Sequence, residues 1–175
     1  MSRVFGLTER YQKVSNEESR IVFAYGIEPV DENNSTWGEV FFYKKQHPTI
    51  TIDEVKKAII SDINSQTDEN ILSGFVWNGK KVWLSQENQF NFKAAYDLAV
   101  QTNGMSLPVK FKLGETEEGE PVYHTFEKLD DITDFYISAI NYINQCLNEG
   151  WEMKDGIEWS EYERILTGAG AEAGS

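Results

Sequence analysis

Leu72-Ser73-Gly74-Phe75-Val76-Trp77-Asn78-Gly79-Lys80-Lys81-Val82-Trp83-Leu84-Ser85-Gln86-Glu87-Asn88 reads as a β-hairpin that runs straight into a helix. Asn78-Gly79 suits a two-residue type I′ turn, because both central residues must take positive φ. That turn sets the register, with Trp77 opposite Lys80, Phe75 opposite Val82 and Gly74 opposite Trp83. Phe75, Val82 and Leu84 then share one face. Trp83 is placed across Gly74, where a large ring can cover bare backbone. Ser85 is positioned to cap the following helix, with Glu87 in its positively polarised first turn. Phe92, Ala95, Tyr96 and Ala99 form the inner stripe of that helix. Asn103-Gly104 ends it, since glycine accepts the left-handed conformation at a helix C-terminus.

Working outward, Thr51-Ile52-Asp53-Glu54 has the form of a capping box after the break at His47-Pro48, and Ile52, Val55, Ile59 and Ile63 recur at helical spacing. Before it, Ile21–Tyr25 and Glu39–Lys44 are rich in β-branched and aromatic residues and flank a polar loop, Asp31–Ser35. A third strand is expected at Val4–Leu7 or Tyr11–Val14. Three strands make a thin core, so this segment should rest on the remainder of the domain or on another chain. On the other side, Val109–Leu113 and Pro121–Phe126 flank an acidic loop as a second, longer hairpin. Leu129, Ile132, Phe135, Tyr136, Ala139, Ile140, Ile143 and Leu147 give a broad apolar helical face, with Gly150 as its stop. A short helix is expected through Tyr162, Ile165 and Leu166. The fold class is therefore α+β, with three main helices packed on short antiparallel strands. The expected organisation is a β-rich N-terminal arm over 1–48, a core domain over 49–167 and a flexible tail over 168–175.

The chain has 175 residues, of which 40% are hydrophobic and 13% aromatic, enough to bury a core. Its net charge of −13 repels phosphate and anionic lipid, so neither nucleic acid nor a membrane is expected as partner. No stretch approaches the length of a membrane span. Cys146 is the single cysteine and reads as a small buried thiol. The first residues lack the apolar run of a signal peptide, so synthesis in a cytoplasm is expected and the Asn34-Ser35-Thr36 sequon carries no weight.

Catalytic motifs are not found. Glu115, Glu117, Glu118 and Glu120 precede Asp130, Asp131 and Asp134, but without the alternation of a calcium loop. His47 and His124 lie in no zinc spacing, and no nucleophile elbow or phosphate loop is present. No catalytic, metal or cofactor residue is assigned. Lys110-Phe111-Lys112 and Lys80-Lys81 are small basic clusters that read as solvated strand faces. Trp37, Trp77 and Trp151 could stack on sugars if exposed, although packing is the plainer role for a tryptophan. The same holds for Trp83.

Asn70–Leu84, with its apolar residue, Phe75, the Asn78-Gly79 turn and the Trp83-Leu84 pair, resembles a phage and prophage tail-associated domain of unknown function found in viruses of gut bacteria of the Bacteroides type. The helix ending near Ile63-Asn64 and the helix from Phe135-Tyr136 to Cys146 fit the same layout, so the resemblance spans roughly residues 52 to 155. The chain departs from it in the Gln86–Phe90 stretch, where a basic residue is usual, and in a longer acidic loop. The resemblance brings no catalytic residue. It implies a virion component, made in the bacterial host cytoplasm and assembled into a particle. The expected function is thus a non-enzymatic structural or adaptor protein of a tail, baseplate or fibre attachment site, contacting other phage structural proteins in a symmetric assembly. The expected interface is the N-terminal arm. Phe41, Phe42 and Tyr43, with Trp37, place aromatic rings on both faces of one strand, and its edge could accept a partner strand. A receptor- or carbohydrate-binding tail protein is the alternative. A tail hydrolase would require two facing carboxylates in a cleft.

Overall fold

In the computed structural model, which describes residues 3–168, the order is β1 (Arg3–Leu7), β2 (Val14–Asn16), β3 (Arg20–Pro29), β4 (Asn34–Tyr43), α1 (Ile52–Ser73), β5 (Phe75–Trp77), β6 (Lys80–Val82), α2 (Gln86–Gln101), β7 (Val109–Glu115), β8 (Pro121–Phe126), α3 (Leu129–Asp155) and α4 (Trp159–Leu166). The class is α+β, and every strand pair is antiparallel. The chain divides into two compact units. One joins the chain up to Gln66 with the chain from Gly150, and the other is Thr67–Glu149. The tail expected over 168–175 lies outside the described residues beyond Gly168.

In the first unit the strands lie in the order β1-β4-β3-β2. Alternation along β3 and β4 sends Phe23, Tyr25 and Val40 to one face, where they meet Val55, Ile59 and Ile63 of α1 and Ile157 and Tyr162 further on. The sheet is therefore not left thin. The helix stripe legible in the sequence and residues more than a hundred positions later cover one of its faces. The capping box forms as expected, with the Thr51 N–H donating to Glu54 Oε2 at 2.9 Å and the Glu54 N–H to Thr51 Oγ1 at 3.3 Å. Tyr25 occupies the space beside Gly38 that a side chain there would need, and its hydroxyl donates to Asp62 at 2.6 Å and accepts from Gln66 at 2.6 Å. The Tyr162 hydroxyl donates to the Ala24 carbonyl.

In the second unit Asn78 and Gly79 take φ of 48° and 73°, and Phe75 pairs with Val82 and Trp77 with Lys80, the type I′ hairpin and register read from the sequence. Ser85 caps α2 by accepting from the Asn88 N–H at 3.2 Å. The Trp83 N–H donates to the Leu113 carbonyl at 2.7 Å, which sets β6 beside β7 and brings the two hairpins edge to edge. Their inner faces supply Phe75, Trp77, Val82, Leu113 and Phe126 to a core closed by Phe92 and Ala99 of α2 and Ile132, Phe135 and Ala139 of α3.

Three details differ from the sequence reading. The first helix does not end near Ile63-Asn64 but runs on to Ser73. Trp83 does not cover Gly74. A Cβ at Gly74 would meet Tyr142 Oη at 2.1 Å, because that hydroxyl reaches past it to the Asn70 carbonyl at 2.9 Å. Trp83 turns to Gly114 of the neighbouring strand instead, and its Cδ1 is 3.6 Å from where a Cβ there would sit. Nor does Gly150 stop α3, which continues to Asp155. An interior glycine costs only about 1 kcal/mol against alanine, and burial of Met153 and Ile157 beside the first unit's core favours continuing the helix.

Candidate interaction surfaces and a cleft at the hairpin

The structure separates the four residues expected at the N-terminal interface. Phe42 points inward and meets Phe23 edge-on at 5.8 Å. Trp37 points to the opposite face but is 4% exposed, held under Tyr11 with ring centroids 4.2 Å apart, and its Nε1–H donates to Glu39 at 3.1 Å. Burial, and then the Glu39 carboxylate, push the Tyr11 hydroxyl well above its ordinary pKa. Phe41 and Tyr43 remain exposed, at 46% and 48%. Their rings meet edge-to-face at 5.4 Å, and the Arg20 guanidinium lies 5.1 Å from the Phe41 centroid. Glu17 holds Arg20 from its other side at 2.5 Å.

In the second unit, strand alternation turns Val76, Lys81, Trp83, Lys110, Lys112 and Tyr123 away from the core, and all six are exposed. Lys110 Nζ is 4.5 Å from the Tyr123 centroid and Lys112 Nζ 5.5 Å from that of Trp83. Lys112 also pairs with Glu115 at 2.6 Å. The sequence showed two small, separate lysine clusters. The Trp83–Leu113 bond is what joins one lysine of the first to both of the second on a single face.

Lys80 faces the other way and reaches His124, one of the residues that line an open cleft of about 530 Å³ beside the hairpin turn. Trp77 forms its floor, packed against His124, Phe126 and Phe135 at 5.0, 5.6 and 5.1 Å, with its Nε1–H donating to Asp134 at 2.9 Å. Being 7% exposed, Trp77 offers no open ring face for a sugar. Glu127, Asp130 and Asp131 complete an acidic wall at the N-terminus of α3, where the helix dipole favours negative charge. Lys80 Nζ donates to His124 Nδ1 at 3.1 Å, which places the ring proton of neutral His124 on Nε2. Burial, and then the Lys80 charge, hold the imidazole below its ordinary 6.5 against the opposing pull of Asp131. Chemically the cleft is suited to receiving a cationic or hydrogen-bond-donating group. Among the described residues no three His, Cys, Asp or Glu side chains converge on a metal position.

The lowered His124 pKa carries a pH signature. Below about 6.5 the unfolded chain takes up this proton before the folded chain does. The contribution is therefore complete above that value and is lost as the pH falls through the lowered folded pKa. Urea midpoints are expected to fall more steeply between about pH 7.5 and about pH 5.5 for the parent than for His124→Gln. Equal slopes would remove His124 as the source.

Neither a curated protein nor a solved structure matches the chain significantly. Residues 54–170 match the family described as Domain of unknown function (DUF4376). The match begins in the first turn of α1 and leaves β1–β4 outside it. With about two thirds of its length so matched, the chain belongs to the DUF4376 family of domains of unknown function.

Proposed function

We propose that the chain is a non-enzymatic structural or adaptor component of a phage particle, in the tail, baseplate or fibre attachment, acting through protein–protein contacts. The supporting observation is the exposed Phe41–Tyr43 pair with Arg20 above it. The opposite face of the same strands already meets the needs of the core, so the fold does not require these rings. Aromatic and arginine side chains are the types enriched at protein contacts. The particle setting is supported by the resemblance carried by Asn70–Leu84. The carbohydrate-binding alternative has less support, since of its three candidate rings Trp37 and Trp77 are buried and Trp151, at 54%, is exposed.

The test is a Phe41→Ser, Tyr43→Ser double variant. Its thermal unfolding is expected to stay close to that of the parent, because both rings are half-exposed. Its incorporation into purified particles, measured by quantitative mass spectrometry, is expected to drop by roughly 30-fold, the effect of losing one hot-spot interaction. Absence of the parent chain from particles would sink the setting, and incorporation of the variant at the parent level would sink the surface.

A further inference from the structure

We propose that the open sheet face of the second unit, bearing Lys81, Lys110 and Lys112 with Trp83 and Tyr123, docks into the acidic cleft of a second copy of this chain. The face is a basic exception on a chain with 29 acidic and 16 basic residues. Its charge complement is an acidic surface, and the chain itself carries one. Glu127, Asp130, Asp131 and Asp134 line the cleft, with Lys128 the one lysine or arginine among its lining residues. At about 530 Å³ the cleft has room for a lysine or tyrosine side chain.

Face and cleft are different surfaces of one unit, so the contact either closes reciprocally in a two-fold dimer or runs head-to-tail into a ring or a filament. The net charge of −13 opposes association at long range. At physiological salt that repulsion is screened beyond about 8 Å, while charges in direct contact are screened far less. Nucleic acid could match the face, but it would find no complement in the cleft. A second copy satisfies both surfaces at once. The contact does not rest on the Phe41–Tyr43 patch.

The test is a charge swap in the full chain, followed by sedimentation velocity at about 0.15 M salt. The parent is expected to show an average mass that rises above 20.1 kDa with concentration and falls back at high salt. Lys110→Glu with Lys112→Glu, and separately Glu127→Lys with Asp130→Lys, are each expected to weaken self-association at least tenfold. Mixing the two variants is expected to restore it, since each then presents the charge the other lacks. Glu127→Gln with Asp130→Asn, checked by circular dichroism, guards against loss of the helix start, and Asp134 is left in place to hold Trp77. A parent that stays monomeric at all concentrations overturns the proposal. So does undiminished association of either variant alone, or failure of the folded variants to restore it on mixing. Binding of a labelled single-stranded oligonucleotide by a monomeric parent, lost in Lys110→Glu/Lys112→Glu, would assign the face to nucleic acid instead. Association that disappears only in Phe41→Ser/Tyr43→Ser would place self-contact in the first unit.

Discussion

Replacing Phe135 by alanine is expected to destabilise the protein by about 3–5 kcal/mol. Phe135 is 1% exposed and sits among four rings, Phe75, Trp77, Phe92 and Phe126, at centroid distances of 6.3, 5.1, 5.0 and 5.0 Å. These come from β5, α2 and β8, so truncation opens a void where three elements meet α3. Rings fixed by one another cannot collapse into the space without leaving their own contacts, which places the cost toward the upper end of the range. A domain holds only about 5–15 kcal/mol in all, so this variant should be close to unfolding at physiological temperature. Urea unfolding measures it, with Phe135→Leu retaining most of the loss-free volume and costing clearly less. A loss below about 1 kcal/mol for alanine would show that Phe135 is not the keystone its contacts indicate.

Gly38→Ala is expected to be nearly as severe, through overcrowding rather than a void. A Cβ at position 38 would lie 2.1 Å from Tyr25 Cζ and 2.4 Å from its hydroxyl oxygen. The Tyr25 ring cannot swing aside cheaply. It is 1% exposed, and its hydroxyl is held by Asp62 and Gln66. Moving it gives up buried contacts and a hydrogen-bonded group together, for an expected cost of about 3 kcal/mol, the top of the usual range for overpacking. Thermal unfolding reads this directly. Combining Gly38→Ala with Tyr25→Leu should cost less than the sum of the two single changes, because the smaller side chain makes room for the methyl group. Strict additivity would mean the two residues are not in conflict.

What could be read from the sequence was mostly local. The Asn78-Gly79 turn, the Thr51–Glu54 box and the Ser85 cap depend on residues a few positions apart, and all three form. What could not be read depends on distant pairing. The fate of Trp83 is set by Leu113, thirty residues on, which draws its strand against β7 and leaves Gly74 to Tyr142. The burial of Trp37 follows from Tyr11 folding back over it, although alternation along β4 correctly separates Phe41 and Tyr43 from Phe42. The cleft assembles Trp77, His124 and Asp134 from a hairpin, a second hairpin and a helix, and none of their sequence neighbours marks them as companions. The continuation of α3 past Gly150 is a case where a weak local penalty gives way to burial of Met153 and Ile157.

The Tyr162 hydroxyl that reaches the Ala24 carbonyl joins residues 138 positions apart, and this has a consequence for biosynthesis. A ribosome adding about 5–20 residues per second needs roughly 7–28 s to travel that distance. During that interval β3 and β4 have left the exit tunnel with Phe23, Tyr25 and Val40 still lacking part of their cover. The unit of Thr67–Glu149 is one uninterrupted stretch and can be completed while the first still waits for Ile157 and Tyr162. The first part of the chain to be translated is thus the last to finish folding, and it is the part most exposed to chaperones, proteases and sister chains on the same polysome.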